Sequence, residues 1–86
     1  MNFTLQYTPQ AKEGIEKLSK IGLKHIAEKS LLKISANPYI GKKLLGKLHG
    51  LYSSRITRKY QIIYQIISDK TTVLTIDIAH RKESYR

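Results

Sequence analysis

Eighty-six residues without a cysteine make a short chain that must put most of its apolar side chains inside, unaided by disulfides or thiolate metal sites. Sixteen Lys and Arg against six Asp and Glu give a net charge of +10. That exceeds the magnitude of about 2–8 that keeps a small domain soluble, and it points to a polyanionic partner. The three scattered histidines and few acids offer no metal-ligand spacing, so neither metal nor cofactor is expected. The apolar runs are too short to cross a membrane, and Met1-Asn2-Phe3-Thr4 lacks the basic and apolar regions of a secretion leader. The lack of cysteine fits a reducing cytoplasm.

Phe3, Leu5 and Tyr7 alternate with Thr4 and Gln6, which predicts a short strand with one apolar face. Thr8-Pro9 reads as a helix N-cap followed by Pro at the first helical position. The helix that follows carries Ala11, Ile15 and Leu18 on one stripe, slightly weakened by Gly14. The chain turns near Lys20–Gly22. A second helix places Leu23, Ile26, Ala27, Ser30, Leu31 and Ile34 at 3/4 spacing until Asn37-Pro38 stops it. The lysines on the opposite faces read as solvated. Residues Tyr39–Gly50 form a basic, glycine-punctuated loop without the G-x-x-x-x-G-K-[ST] pattern of a phosphate-binding loop. Three strands follow. Leu51–Thr57 puts Tyr52, Ser54 and Ile56 on one face, and Arg58-Lys59 turns the chain. Tyr60–Ile67 has Tyr60, Ile62, Tyr64 and Ile66 inward. After a turn at Ser68-Asp69-Lys70, Thr71–Ile78 has Leu74, Ile76 and Ile78 inward.

The order β-α-α-β-β-β over a single domain, residues 1–86, predicts an α+β two-layer fold with both helices on one sheet face. Strand parity assigns Ser53, Arg55, Gln61, Gln65, Thr75, Asp77 and, by extension, Arg81 to the other face, expected to be polar and open. His80 has the opposite parity and points inward unless the chain bends after Ile78. The strands end in Ala79-His80-Arg81-Lys82-Glu83-Ser84-Tyr85-Arg86. Imidazole, guanidinium and phenol are groups that move protons and hold phosphate charge without a metal, so this end reads as a candidate phosphodiester site.

Three segments carry a resemblance. Asn37-Pro38-x-x-Gly41-Lys42-Lys43-Leu44-x-Gly46-x-Leu48-x-Gly50-Leu51-Tyr52, Tyr60-x-Ile62-Ile63-Tyr64-x-Ile66 and Ala79-His80-Arg81-Lys82-Glu83-x-Tyr85-Arg86 are similar, in order and spacing, to segments of the RelE/ParE superfamily of toxins. The resemblance implies the toxin half of a toxin–antitoxin pair, neutralised by a cognate antitoxin. In the RelE branch it implies cleavage of mRNA in the ribosomal A site by attack of the 2′-OH. The ParE branch poisons DNA gyrase instead.

On this resemblance Arg81, Tyr85, His80 and Arg55 are the candidate catalytic residues. Arg81 suits bidentate phosphate binding, or else is a solvated terminal charge. Tyr85 stacks on a base or assists proton transfer, or else packs the tail. His80 is an acid or base near neutral pH, or else a histidine at a strand end. Arg55 holds phosphate, or else pairs across strands with Asp77. Lys42, Lys43, Lys47, Arg58 and Lys59, with Gln61, are candidate RNA contacts, mostly to backbone. Gln61 and Leu45 stand where the family carries Arg. That departure keeps two alternatives open, a ParE-like gyrase inhibitor and a non-catalytic RNA-binding member.

Overall fold

The computed structural model describes residues 2–80. The chain forms β1 (Thr4–Tyr7), α1 (Pro9–Lys20), α2 (Lys24–Ala36), β2 (Lys42–Lys43), β3 (Tyr52–Arg55), β4 (Tyr60–Ile67) and β5 (Thr72–His80), with 3-10 turns at Pro38–Ile40, Gly46–Leu48 and Ser68–Lys70. The sheet order is β1-β5-β4-β3-β2. β1 runs parallel to β5, and every other pair is antiparallel. This is the expected α+β fold, with departures in its strands. Lys42–Lys43 adds a two-residue edge strand inside the basic loop, paired with Ser53 and Tyr52. β3 is shorter than the predicted Leu51–Thr57.

The helix ends follow their caps. Thr8 Oγ1 accepts from the Ala11 N–H at 3.1 Å, with Pro9 at the first helical position. Asn37 ends α2, and its side chain accepts from the Tyr39 N–H at 3.3 Å to start the next turn. The core between helices and sheet centres on Leu18, Ala27, Ile34, Ile62, Tyr64 and Val73, all nearly or fully buried. Ile26, expected on the buried stripe of α2, is exposed, because Ala27, Leu31 and Ile34 define that stripe and Ile26 lies at its margin. Gly14 does more than weaken α1. A β-carbon there would lie 2.7 Å from Cβ of Ile78, so its absence lets the helix lie directly on β5.

The parity of β5 departs from expectation at one point. Opposite β4 it pairs Ile63 with Asp77 but Tyr64 with Thr75, leaving Ile76 as an extra residue. This β-bulge flips the pleat. Val73 and Thr75, expected to face outward, are therefore fully buried on the helix side, and Leu74 faces outward. Beyond the bulge Ile78 and His80 again face the helices. β5 continues without a bend through His80.

Candidate nucleic-acid interface

β3 ends, β4 begins and β5 ends at the same side of the sheet. Arg55 lies opposite Gln61, and Gln61 opposite Ala79. The turn between β3 and β4 is closed by the N–H groups of Ile56 and Thr57, both donating to the Tyr60 carbonyl, at 2.9 and 3.2 Å. That tight closure puts the exposed Arg58 and Lys59 at the tip beside the exposed Arg55. Lys42 pairs with Ser53 and so shares the face of Arg55, whereas Lys43 pairs with Tyr52 and points to the helix side. Lys47 is exposed in the 3-10 turn Gly46–Leu48. Arg81 and Tyr85 lie outside the described residues.

The face expected to be open is partly covered. Leu44, Leu48 and Leu51, from the segment after β2, pack on Ile63 and Ala79 to make a second, smaller apolar cluster. Ser53 and Gln61 are consequently each only 7 % exposed. Gln61, read as an RNA contact, is held within the sheet rather than displayed. Thr75 is absent from this face because of the bulge. Arg55 and Asp77 do not pair, since β4 separates their strands and Asp77 aligns with Ile63 rather than with Gln61.

His80 lies on the side away from Arg55. Its ring meets Tyr60 edge-to-face, with centroids 5.3 Å apart and planes at 79°. It lines a polar cleft of about 530 Å³ between α1 and the half of β5 that β1 does not reach, with Gln10, Glu13, Lys17 and Asp77. Sequence reasoning did not find this cleft. Its only signal is that Gln10, Glu13, Gly14 and Lys17 follow helical spacing along one side of α1.

Tyr64, behind the covered face, is a structural post held at both hydroxyl and ring. Burial pushes its phenol up to about 12, a hydrogen bond with the Gly41 backbone pulls it back, and the Tyr52 phenol adds to the rise. Its hydroxyl donates to the Pro38 carbonyl at 2.6 Å. Its ring stacks on Tyr52, 5.7 Å away, and Tyr52 meets Tyr39 edge-to-face. The site therefore offers concentrated positive charge at one end of the sheet, Arg55, Arg58 and Lys59, beside the strand that leads in sequence to Arg81. It can hold a phosphodiester backbone.

The model of the ParE toxin of type II toxin–antitoxin systems, parDE, matches residues 5–85. Toxin RelG of Mycobacterium tuberculosis is 31% identical over 87 residues, spanning 100% of this chain and 99% of its own. A chain in the crystal structure of the toxin–antitoxin complex RelBE2 of the same species superposes with a TM-score of 0.79 at 29% identity, over 94% of this chain and 100% of that one. A YoeB/ParE toxin from Agrobacterium tumefaciens reaches a TM-score of 0.82 over 91% of this chain and 98% of its own, at 17% identity, a likeness of fold alone.

Proposed function

The chain belongs to the ParE toxin family of type II toxin–antitoxin systems, within the RelE/ParE superfamily, and we propose on that basis that it is a RelE-like mRNA endonuclease acting on translating ribosomes in the cytoplasm. The observation that carries this reading is the exposed Arg55, level with the end of β5 and flanked by Arg58 and Lys59. A gathering of guanidinium groups beside the strand that runs on to Arg81 is suited to a phosphate whose charge grows during reaction.

In this mechanism the 2′-oxygen of the mRNA loses its proton and attacks the adjacent phosphorus. The bond from phosphorus to the 5′-oxygen breaks. A 2′,3′-cyclic phosphate remains, and the leaving 5′-oxygen takes up a proton. Arg55 and Arg81 hold the non-bridging oxygens, and Tyr85 supplies or relays the proton. His80, packed on Tyr60 across the sheet from Arg55, steadies the strand end that delivers Arg81. Lys42, Lys47, Arg58 and Lys59 bind RNA backbone, while Lys43 and the buried Gln61 have lesser parts. A cognate antitoxin neutralises the toxin. Among the described residues no helix is long and apolar enough to cross a membrane.

Two observations favour a second reading. Gln61 brings no charge to a position where the superfamily carries Arg, and the matching model describes a ParE toxin. A gyrase inhibitor needs no phosphate clamp. The two readings separate on expression from a tight promoter with mapping of mRNA 5′ ends. Cuts on translating ribosomes that leave 5′-OH ends and vanish in Arg81→Ala support the endonuclease. Growth arrest with intact mRNA and an SOS response overturns it in favour of gyrase.

A further inference from the structure

The turn between the two helices and the turn between β3 and β4 come together around a groove of about 380 Å³, walled by Ile21, Leu23, Thr57, Arg58, Lys59 and Tyr60. At the end of α1 the Gly22 N–H donates to the Ser19 carbonyl at 3.1 Å and the Leu23 N–H to the Leu18 carbonyl at 2.8 Å. These are the paired bonds of a Schellman turn, which brings the residue after the glycine back onto the last turn of the helix. Leu23 accordingly packs against the core that holds Leu18. Ile21, just before the glycine, is left 56% exposed. On the facing wall the Lys59 N–H donates to Thr57 Oγ1 at 3.2 Å, which fixes the tip of the β3–β4 turn. The Tyr60 ring is braced by its edge-to-face contact with His80.

The charge around this groove is of one sign. Neither turn, residues 19–26 nor 55–60, contains an acid, and together they carry Lys20, Lys24, Arg55, Arg58 and Lys59. The cleft beside β5, by contrast, includes Glu13 and Asp77, and the groove between β1 and α2 includes Glu28. An aliphatic and phenolic slot with cations at its rim suits a flat, uncharged ring carried on an anionic chain. A nucleobase on its sugar-phosphate backbone has that form: the ring stacks, and the cations hold the phosphates.

We propose that this groove seats an unpaired base of the mRNA, from a nucleotide neighbouring the scissile phosphate; this rests on the endonuclease reading above. Arg55 lies opposite Gln61, and strand alternation turns Tyr60, the residue before Gln61, to the other face. The message therefore crosses the turn, with its phosphates passing Arg58 and Lys59 at the tip and its base entering the groove on the far side. The Thr57 hydroxyl is already engaged by the Lys59 N–H. The groove thus holds a base by stacking and tolerates any sequence.

A short RNA stripped of every base but one 2-aminopurine tests this against the same strand with no base at all. The parent toxin binds the one-base strand about tenfold more tightly and quenches its fluorescence. Ile21→Ser, at an exposed position, removes both effects and leaves the salt dependence of binding unchanged. Tyr60→Phe, which keeps the ring, preserves both. Equal binding of the two strands, or a difference that survives Ile21→Ser, overturns the proposal and leaves the backbone contacts intact. On ribosomes programmed with messages abasic at single positions near the cut, one such position slows cutting by the parent about tenfold and slows Ile21→Ser no further. If Ile21→Ser cuts slowly while no abasic message does, the base comes from ribosomal RNA and the proposal falls. A toxin that cuts no message removes the endonuclease reading, and this subsite with it.

Discussion

Two buried hydroxyls show how closely individual side chains are constrained. Tyr64 is fully buried, yet its hydroxyl reaches the Pro38 carbonyl and so ties the end of α2 to the middle of the sheet. Gly41 makes room for it, since a β-carbon there would collide with that hydroxyl and lie 2.8 Å from the Ser53 carbonyl oxygen. The raised Tyr64 pKa carries a pH signature. The folded chain keeps this proton above the ordinary tyrosine value of 10.0, while the unfolded chain releases it. Its contribution is whole below about pH 10 and is lost as the pH rises toward about 12. Melting temperatures of the parent and Tyr64→Phe, measured from pH 9 to 12, should fall more steeply in the parent. Parallel curves would mean that Tyr64 does not titrate differently on unfolding. Thr75 is the opposite case. Its Oγ1 is buried without a hydrogen-bond partner among the described residues. Thr75→Val, near-isosteric, should therefore raise stability by about 1–2 kcal/mol in urea titration, and a loss would show that the hydroxyl is satisfied after all.

At the scale of elements, Thr8 connects helix to sheet. Its Oγ1 accepts from the Ala11 N–H and donates at 2.6 Å to the carbonyl of Ile76, the bulged residue of β5. One hydroxyl thus caps α1 and pins the bulge. Thr8→Ala should cost about 1–2 kcal/mol, and Thr8→Ser should recover most of it. Equal losses in both variants would locate the effect in the methyl group. The cap was legible in Thr8-Pro9, as was the stop at Asn37-Pro38, because local chemistry sets helix ends. The bulge was not. Val73 to Ile78 alternates evenly on paper, and only pairing with β4 reveals that Ile76 is extra. The same limit applied to Lys42–Lys43, whose strand character exists only against Tyr52 and Ser53. The outward placement of Arg55 was legible because β3 and β4 alternate without an extra residue, the bulge being confined to β5. The burial of Gln61 was not, since it depends on three leucines from a distant loop.

For the molecule as a whole the net charge of +10 dominates encounters. If the exposed Arg58 and Lys59 contact RNA backbone, ribosome affinity should fall steeply with salt. Replacing both by alanine should flatten the slope of log K against log salt by about 1–2, from roughly 0.7–0.9 per lost phosphate contact. An unchanged slope would place the contacts elsewhere on the surface.

The sheet carries two apolar clusters on opposite sides, and they are unequal. The large one unites both helices with four strands' worth of side chains, whereas the small one holds the segment from Leu44 to Leu51 against Ile63 and Ala79. Such a flap can peel away at a fraction of the global unfolding free energy. Its opening would uncover Ser53 and Gln61 and widen the surface beside Arg55, giving the toxin a hidden polar floor that becomes available only while the flap is lifted. Limited trypsin digestion would report this as early cutting after Lys47 in chains that still hold their helices; simultaneous loss of both would mean the flap and the core melt as one.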